Sequence, residues 1–129
     1  MIYLDTSVAL AHLLAADRHP PDALWHEPIV SSRLFEYEVW NRINARGLFK
    51  THDEAVRDLL GRVAFVELAR PVLARALEPF PAPVRTLDAL HLASIEFLRA
   101  QGQKVALATY DDRLISVAKK MKVPLSTLV

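Results

Sequence analysis

Four carboxylates, Asp5, Glu38, Asp88 and Asp111, sit in four separate stretches of the chain and together offer the oxygen-only donor set that a hard divalent cation takes. Such a set suits phosphodiester cleavage, in which one or two metal ions activate water and neutralise the charge that develops on phosphate. Each acid also has a plainer explanation. Asp5, Asp111 and the adjacent Asp112 make good helix N-caps, and Asp88, two residues after Thr86, is a favourable first-turn acid. At about 100° per residue Glu38 falls between Leu34 and Phe35, which predicts partial burial. Arg42, four residues further on, could pair with it in the favourable order, and Glu36 is an equal rival by periodicity. Spacing leaves a structural and a chemical reading open for every acid.

The elements that must position these acids alternate. Ile2-Tyr3-Leu4 reads as a strand, Asp5-Thr6-Ser7 as caps, and Val8 to Leu14 as a helix. Pro20-Pro21 opens a short helix near Asp22 to Trp25, Pro28-Ile29-Val30 begins a second strand, and Ser32 to Arg46 is a longer helix stopped by Gly47. Thr51-His52-Asp53-Glu54 is expected to cap a helix to Leu60, followed by a strand over Val63 to Leu68. Pro71 starts a helix to about Glu78, and the run Pro79-Phe80-Pro81-Ala82-Pro83 forces an extended loop. Thr86 to Ala100 has helical periodicity ended by Gly102, Lys104 to Thr109 is a buried-type strand, and Asp111-Asp112 caps a helix to Met121. Val123 to Leu128 reads as an edge strand, because Pro124 cannot serve a central ladder. Alternating strands and helices imply a mainly parallel sheet covered on both faces. In such sheets ligands bind beyond the carboxyl ends of the strands, where Asp5 and Asp111 are expected.

Composition narrows the rest. The 129 residues, 52% hydrophobic and 24% charged, suit one globular domain over 1–129 with no long disordered tract. Without cysteine there are neither disulfides nor thiolate metal sites, and this usage suits a reducing cytoplasm. Met1 to Asp5 lacks the features of a signal peptide, and no apolar run approaches the roughly 18 residues of a membrane span. Lys and Arg number 16 against 15 Asp and Glu, so any nucleic-acid site must be local rather than a global basic field.

The segments Leu4-Asp5-Thr6-Ser7, Glu38-Val39-Trp40-Asn41-Arg42, Leu87-Asp88-Ala89-Leu90-His91-Leu92-Ala93 and Thr109-Tyr110-Asp111-Asp112-Arg113-Leu114 carry a resemblance over essentially the whole chain. In order, spacing and flanking residues they resemble PIN-domain ribonucleases, most closely the VapC-type toxins of bacterial toxin-antitoxin pairs. The resemblance implies a three-layer α/β/α fold with a central, mainly parallel sheet and an acidic pocket that binds Mg2+ or Mn2+. It implies a metal-binding set of Asp5, Glu38, Asp88 and Asp111, and the mechanism expected from it has the metal held mainly by Asp5, Asp88 and Asp111, with Glu38 as ligand or water-orienting base. It prefers Glu38 to Glu36 because of the Arg four residues later, and Asp111 to Asp112 because it follows Thr109-Tyr110. It further implies RNA cleavage that inhibits translation, a cognate VapB-type antitoxin, and a homodimer.

Around the acids, Thr6, Ser7 and Thr109 are hydroxyls that could orient them or simply cap helices and strand ends. Arg42, Arg85 and Arg113 could face RNA phosphate or lie on a solvated surface. His91, in a Leu- and Ala-rich helix, reads as a packed, hydrogen-bonded core histidine rather than a base. Trp25, Phe35, Tyr37, Trp40 and Phe49 read mostly as core, with a partner surface as the other use. An aspartyl phosphotransferase of the haloacid-dehalogenase type would want a second Asp where Ser7 stands, and a receiver module would want an acid pair near the start; neither is present. The remaining rival is a catalytically silent PIN-like module for binding RNA or protein, which would be expected to have lost some of the four acids.

Overall fold

A computed structural model describes residues 1–128. Four strands, β1 (Ile2–Leu4), β2 (Ile29–Ser32), β3 (Val63–Val66) and β4 (Ala106–Ala108), form one sheet in the order β3-β2-β1-β4, every pair parallel. The helices are α1 (Thr6–Leu13), α2 (Arg33–Ala45), α3 (Phe49–Leu60), α4 (Arg70–Ala76), α5 (Thr86–Ala100) and α6 (Asp112–Lys120), with a 3-10 turn over Asp22–His26.

Alternation along the strands divides the core in two. Ile2, Leu4, Ile29, Val63 and Ala108 pack with Val8, Phe35, Val39, Ile43 and Val56 from α1, α2 and α3. Tyr3, Val30, Val66 and Leu107 face the other way, against Val72, Leu92, Ile95, Leu114 and Val117 from α4, α5 and α6. This is the expected three-layer α/β/α arrangement. β1 and β2 are buried at every residue, as in a sheet covered on both faces, and the polar Ser31 of β2 is satisfied by donating to Leu4 O at 2.7 Å.

The order of the strands creates the site. From β1 the chain moves outward through β2 to β3, then returns across the sheet to place β4 on the other side of β1. The connections leaving β1 and β4 therefore diverge into opposite layers, α1 into one and α6 into the other. A crevice opens between such divergent connections at the carboxyl edge of a parallel sheet.

Several boundaries differ from the sequence expectation. Helix α3 begins at Phe49, not after a Thr51 cap; the Thr51 hydroxyl donates to Leu48 O at 3.2 Å, inside the first turn. Phe49 instead packs on Trp40 with ring centroids 5.4 Å apart, so tertiary packing sets this start. Strands β3 and β4 are shorter than the apolar runs that contain them. The last expected strand is only a bridge: Leu125 pairs with Leu107, through Leu107 N to Pro124 O and Ser126 N to Leu107 O, both 2.8 Å. Pro124 supplies a carbonyl but no N–H, so the ladder goes no further. Gly47 and Gly102, which follow α2 and α5, take φ of +68° and +83°, the left-handed geometry that ends a helix.

Candidate active site

Asp5 and Asp111 leave neighbouring strand ends. Leu4 of β1 pairs with Ala108 of β4, and Asp5 N donates to Ala108 O at 3.0 Å. Each acid then caps the helix that follows: Asp5 accepts from Ser7 N at 3.3 Å, and Asp111 Oδ1 accepts from Arg113 N at 2.9 Å. Capping therefore holds for both, and it uses only one oxygen of each carboxylate.

Two hydroxyls lock this edge. Ser7 Oγ and Thr109 Oγ1 both donate to Asp5 Oδ2, at 2.6 and 2.8 Å. The same two oxygens accept from the backbone of the next segment, Ser7 Oγ from Tyr110 N at 3.0 Å and Thr109 Oγ1 from Asp111 N at 3.0 Å. The orientation of Asp5 is thereby tied to the path of the chain at Asp111. Asp5 and Thr109 are both buried.

Glu38 arrives from α2, in one helical layer, and meets His91 of α5, from the other. Glu38 Oε1 accepts from Thr6 Oγ1 at 2.9 Å and lies 2.6 Å from His91 Nε2. On the far side of the ring, His91 Nδ1 lies 2.7 Å from the hydroxyl of Tyr3 on β1. A carboxylate oxygen can only accept, so Nε2 carries the proton and donates to Glu38. Burial disfavours the charged imidazole, but the hydrogen bond to Glu38 and the charges of Glu38, Asp5 and Asp88 outweigh it and raise the pKa above the ordinary value.

Asp88 stands in the first turn of α5, and its carboxylate accepts no hydrogen bond from the described residues. Its pKa is raised by burial, then by the nearby charges of Asp111 and Asp5, with Glu38 adding and His91 opposing. The four acids thus feel one another electrostatically. They line one hollow of about 720 Å³ together with Thr6, Arg42 and Arg85.

The Glu38–Arg42 ion pair allowed by spacing does not form; Arg42 is exposed on the wall of the hollow. Glu36 is outside it and lies 3.5 Å from Arg33. Arg113 borders an adjoining hollow, which it shares with Arg85, Asp88 and Asp112. Tyr37 and Asn41, which no motif singled out as site residues, also line the acidic hollow, one helical turn apart on α2. Of the aromatic residues expected to be mostly core, Phe35 is fully buried, whereas Tyr37 is 66% exposed.

The donor set is compatible with a hard cation. Among the described residues Asp5 Oδ1, Glu38 Oε2, Asp111 Oδ2 and both oxygens of Asp88 are free of protein hydrogen bonds. No three of the described Asp, Glu or His side chains stand close enough to hold an ion as placed, so the acids face one space without meeting in it. The carboxylates nonetheless raise one another's cost of ionisation, as Asp88 shows, and a divalent charge among them would offset it.

The PIN domain family matches residues 2–120 of the chain. Ribonuclease VapC47 of Mycobacterium tuberculosis (strain CDC 1551 / Oshkosh) is 33% identical over 129 residues, covering 94% of this chain and 92% of that protein. Ribonuclease VapC46 of Mycobacterium tuberculosis (strain ATCC 25618 / H37Rv) is 34% identical over 125 residues, covering 93% and 92%. The crystal structure of Mycobacterium tuberculosis VapC20, described as a Sarcin-Ricin loop cleaving toxin, matches with a TM-score of 0.68 over 90% of this chain and 94% of that one. At 21% identity, that last likeness is one of fold.

Proposed function

The chain belongs to the PIN domain family, among the VapC ribonucleases, and from that premise we propose that it is a divalent-metal-dependent endoribonuclease, the toxin of a toxin-antitoxin pair. One observation carries the reading: Asp5, Glu38, Asp88 and Asp111, from four separate segments, line a single hollow at the carboxyl edge of the sheet.

In this proposal Asp5, Asp88 and Asp111 hold Mg2+ or Mn2+ through the oxygens that the protein leaves uncommitted. Bound there, the metal supplies Lewis acidity and charge neutralisation at the phosphate. Ser7 and Thr109 fix the rotamer of Asp5, so its second oxygen faces the hollow without reorganisation. Glu38 has one oxygen committed to Thr6 and His91, and uses the other to orient the attacking water and take its proton. Arg42 and Arg85 on the wall, and Arg113 beside it, hold the RNA backbone and offset the acidic floor.

The deciding experiment is RNA cleavage with Mg2+ or Mn2+ by the wild type, Asp5→Asn and Asp88→Asn, with folding checked for each. Loss of cleavage in both variants is expected; equal cleavage by all three would sink the proposed site. Since the acids do not meet as placed, a silent RNA- or protein-binding module is the second reading, and retained RNA binding with no cleavage under any divalent metal would favour it.

The partners follow from the same premise: a VapB-type antitoxin and a second copy of the chain, acting in the cytoplasm. No helix among the described residues is long and apolar enough to cross a membrane. Co-expression with the product of an adjacent small gene should give a complex that co-purifies and does not cut RNA. A monomer that cuts RNA in the presence of that product would overturn this part.

A further inference from the structure

His91 is 1% exposed, yet it is bonded on both sides, to the hydroxyl of the fully buried Tyr3 and to Glu38 at the edge of the acidic hollow. Apolar side chains of α5 and the sheet pack around it, and the other buried polar side chains near Tyr3 are Ser31 and Ser94, so an imidazole here is held by specific partners rather than by water. The polar chain Tyr3–His91–Glu38 crosses from the central strand, through α5, to α2 in the opposite layer. It ends on the one acid that does not come from a strand end or a helix N-terminus. Glu38 lies mid-helix, where no backbone N–H is available to hold its carboxylate, unlike those of Asp5 and Asp111. Whatever orients Glu38 must be a side chain, and the donors in contact with it are Thr6 and His91.

We propose that His91 is a positioning residue for the reaction: it holds Glu38 Oε1 inward, so that Glu38 Oε2 is the single oxygen presented to water in the hollow. The inference rests on the ribonuclease reading and adds a division within the carboxylate. Glu38 works through one oxygen only and cannot chelate an ion with both while the bond to His91 persists. Tyr3 serves the other end by fixing the ring. Its hydroxyl donates to a neutral imidazole or accepts from a charged one, so the chain stays satisfied in either state.

Two substitutions separate the ends of this chain. His91→Gln places an amide N–H near the position of Nε2 and keeps the bond to Glu38, whereas His91→Asn keeps a polar group near Nδ1 for Tyr3 and loses Glu38. Cleavage would be followed on a labelled RNA oligonucleotide, selected from a random-sequence pool because the wild-type protein cuts it, with thermal melts reporting folding. His91→Gln should keep kcat within about threefold. His91→Asn should lower kcat by roughly 10- to 100-fold, the usual effect of losing a partner behind a functional group, with KM nearly unchanged. The double variant with Glu38→Gln should be no slower than Glu38→Gln alone, since His91 acts through Glu38.

A second readout needs neither metal nor substrate. In chelator, the proton on His91 Nε2 should appear as an exchange-protected, downfield imidazole resonance in the wild type and move in Glu38→Gln. Unchanged kcat in His91→Asn, losses that multiply in the double variant, or absence of that resonance each overturns the proposal. If His91→Asn is unfolded, the resonance decides alone. Asp5→Asn as active as the wild type would refute the ribonuclease site itself; an inactive Asp5→Asn beside a fully active His91→Asn would refute only the role of His91.

Discussion

Thr109→Val should destabilise the protein more than Thr109→Ser, although valine preserves the shape and serine does not. The hydroxyl of Thr109 donates to Asp5 Oδ2 at 2.8 Å and accepts from Asp111 N at 3.0 Å, in a residue 5% exposed. A hydrogen bond to a charged acceptor contributes about 1.5–3 kcal/mol, and stranding a part-buried N–H that water can reach costs up to about 1 kcal/mol more. The added methyl of valine returns about 0.8 kcal/mol. The net loss is about 1–3 kcal/mol, centred near 2. With about 2.1 cal/mol/K of unfolding entropy per residue over 129 residues, the central value is a fall in Tm of about 7 °C. Serine keeps both bonds and loses one buried methyl, about 1 kcal/mol or about 4 °C. Urea unfolding in chelator at neutral pH, with Tm from a parallel melt, measures both. Valine as stable as serine would mean that the hydroxyl network at the β1 and β4 ends contributes nothing, and the account of how Asp5 is held would fail.

Asp88→Asn should raise the stability of the chelated protein and abolish the further stabilisation that Mg2+ gives the wild type. The carboxylate is surrounded by like charge, whereas a bound cation stabilises by mass action. Because its folded pKa is raised, the wild type in chelator should lose stability as pH climbs from the unfolded value through the folded one, and Asp88→Asn should lack that decline. For His91 the raised pKa means that the imidazolium contributes stability below about 6.5 that is lost as pH rises through the folded value, which an NMR titration in chelator would show as a midpoint above 6.5. Tyr37→Ala should weaken binding of single-stranded RNA by about 5- to 150-fold while Tyr37→Phe does not, given base stacking worth about 1–3 kcal/mol. Anisotropy titration in Ca2+ tests this, and equal affinities would remove Tyr37 from the binding surface.

The sequence exposed the parts of the site that are built locally. Asp5 and Asp111 could be placed because a strand followed by a capping acid is a pattern within a few residues, and their separation into two layers then follows from the strand order. The α2 and α5 boundaries were legible for a similar reason: Ser32 and Gly47 bracket one, and Gly102 ends the other. Thr51 misled because a hydroxyl in the first turn can bond back to Leu48 O as readily as it caps, and only the contact between Phe49 and Trp40 decides where α3 starts. Pro124 misled by degree, since one bridge to Leu107 looks the same in sequence as an edge strand.

Glu38 was the hardest acid to read, and the reason is its distance along the chain from what holds it. Its local spacing offered Arg42, a charge on the same helix, as partner, and that pair does not form. The bond that does form reaches 53 residues ahead, to a histidine in the other helical layer. Pairing with Arg42 would have used Glu38 to stabilise a solvated helix face, where such pairs contribute only a few tenths of a kcal/mol. Pairing with His91 leaves Arg42 exposed on the wall of the hollow, where the proposed reading has it face phosphate, and ties the carboxylate to β1 through Tyr3. One choice of partner therefore leaves Arg42 without an intrahelical ion pair on the wall of the hollow and holds the acid from the protein interior.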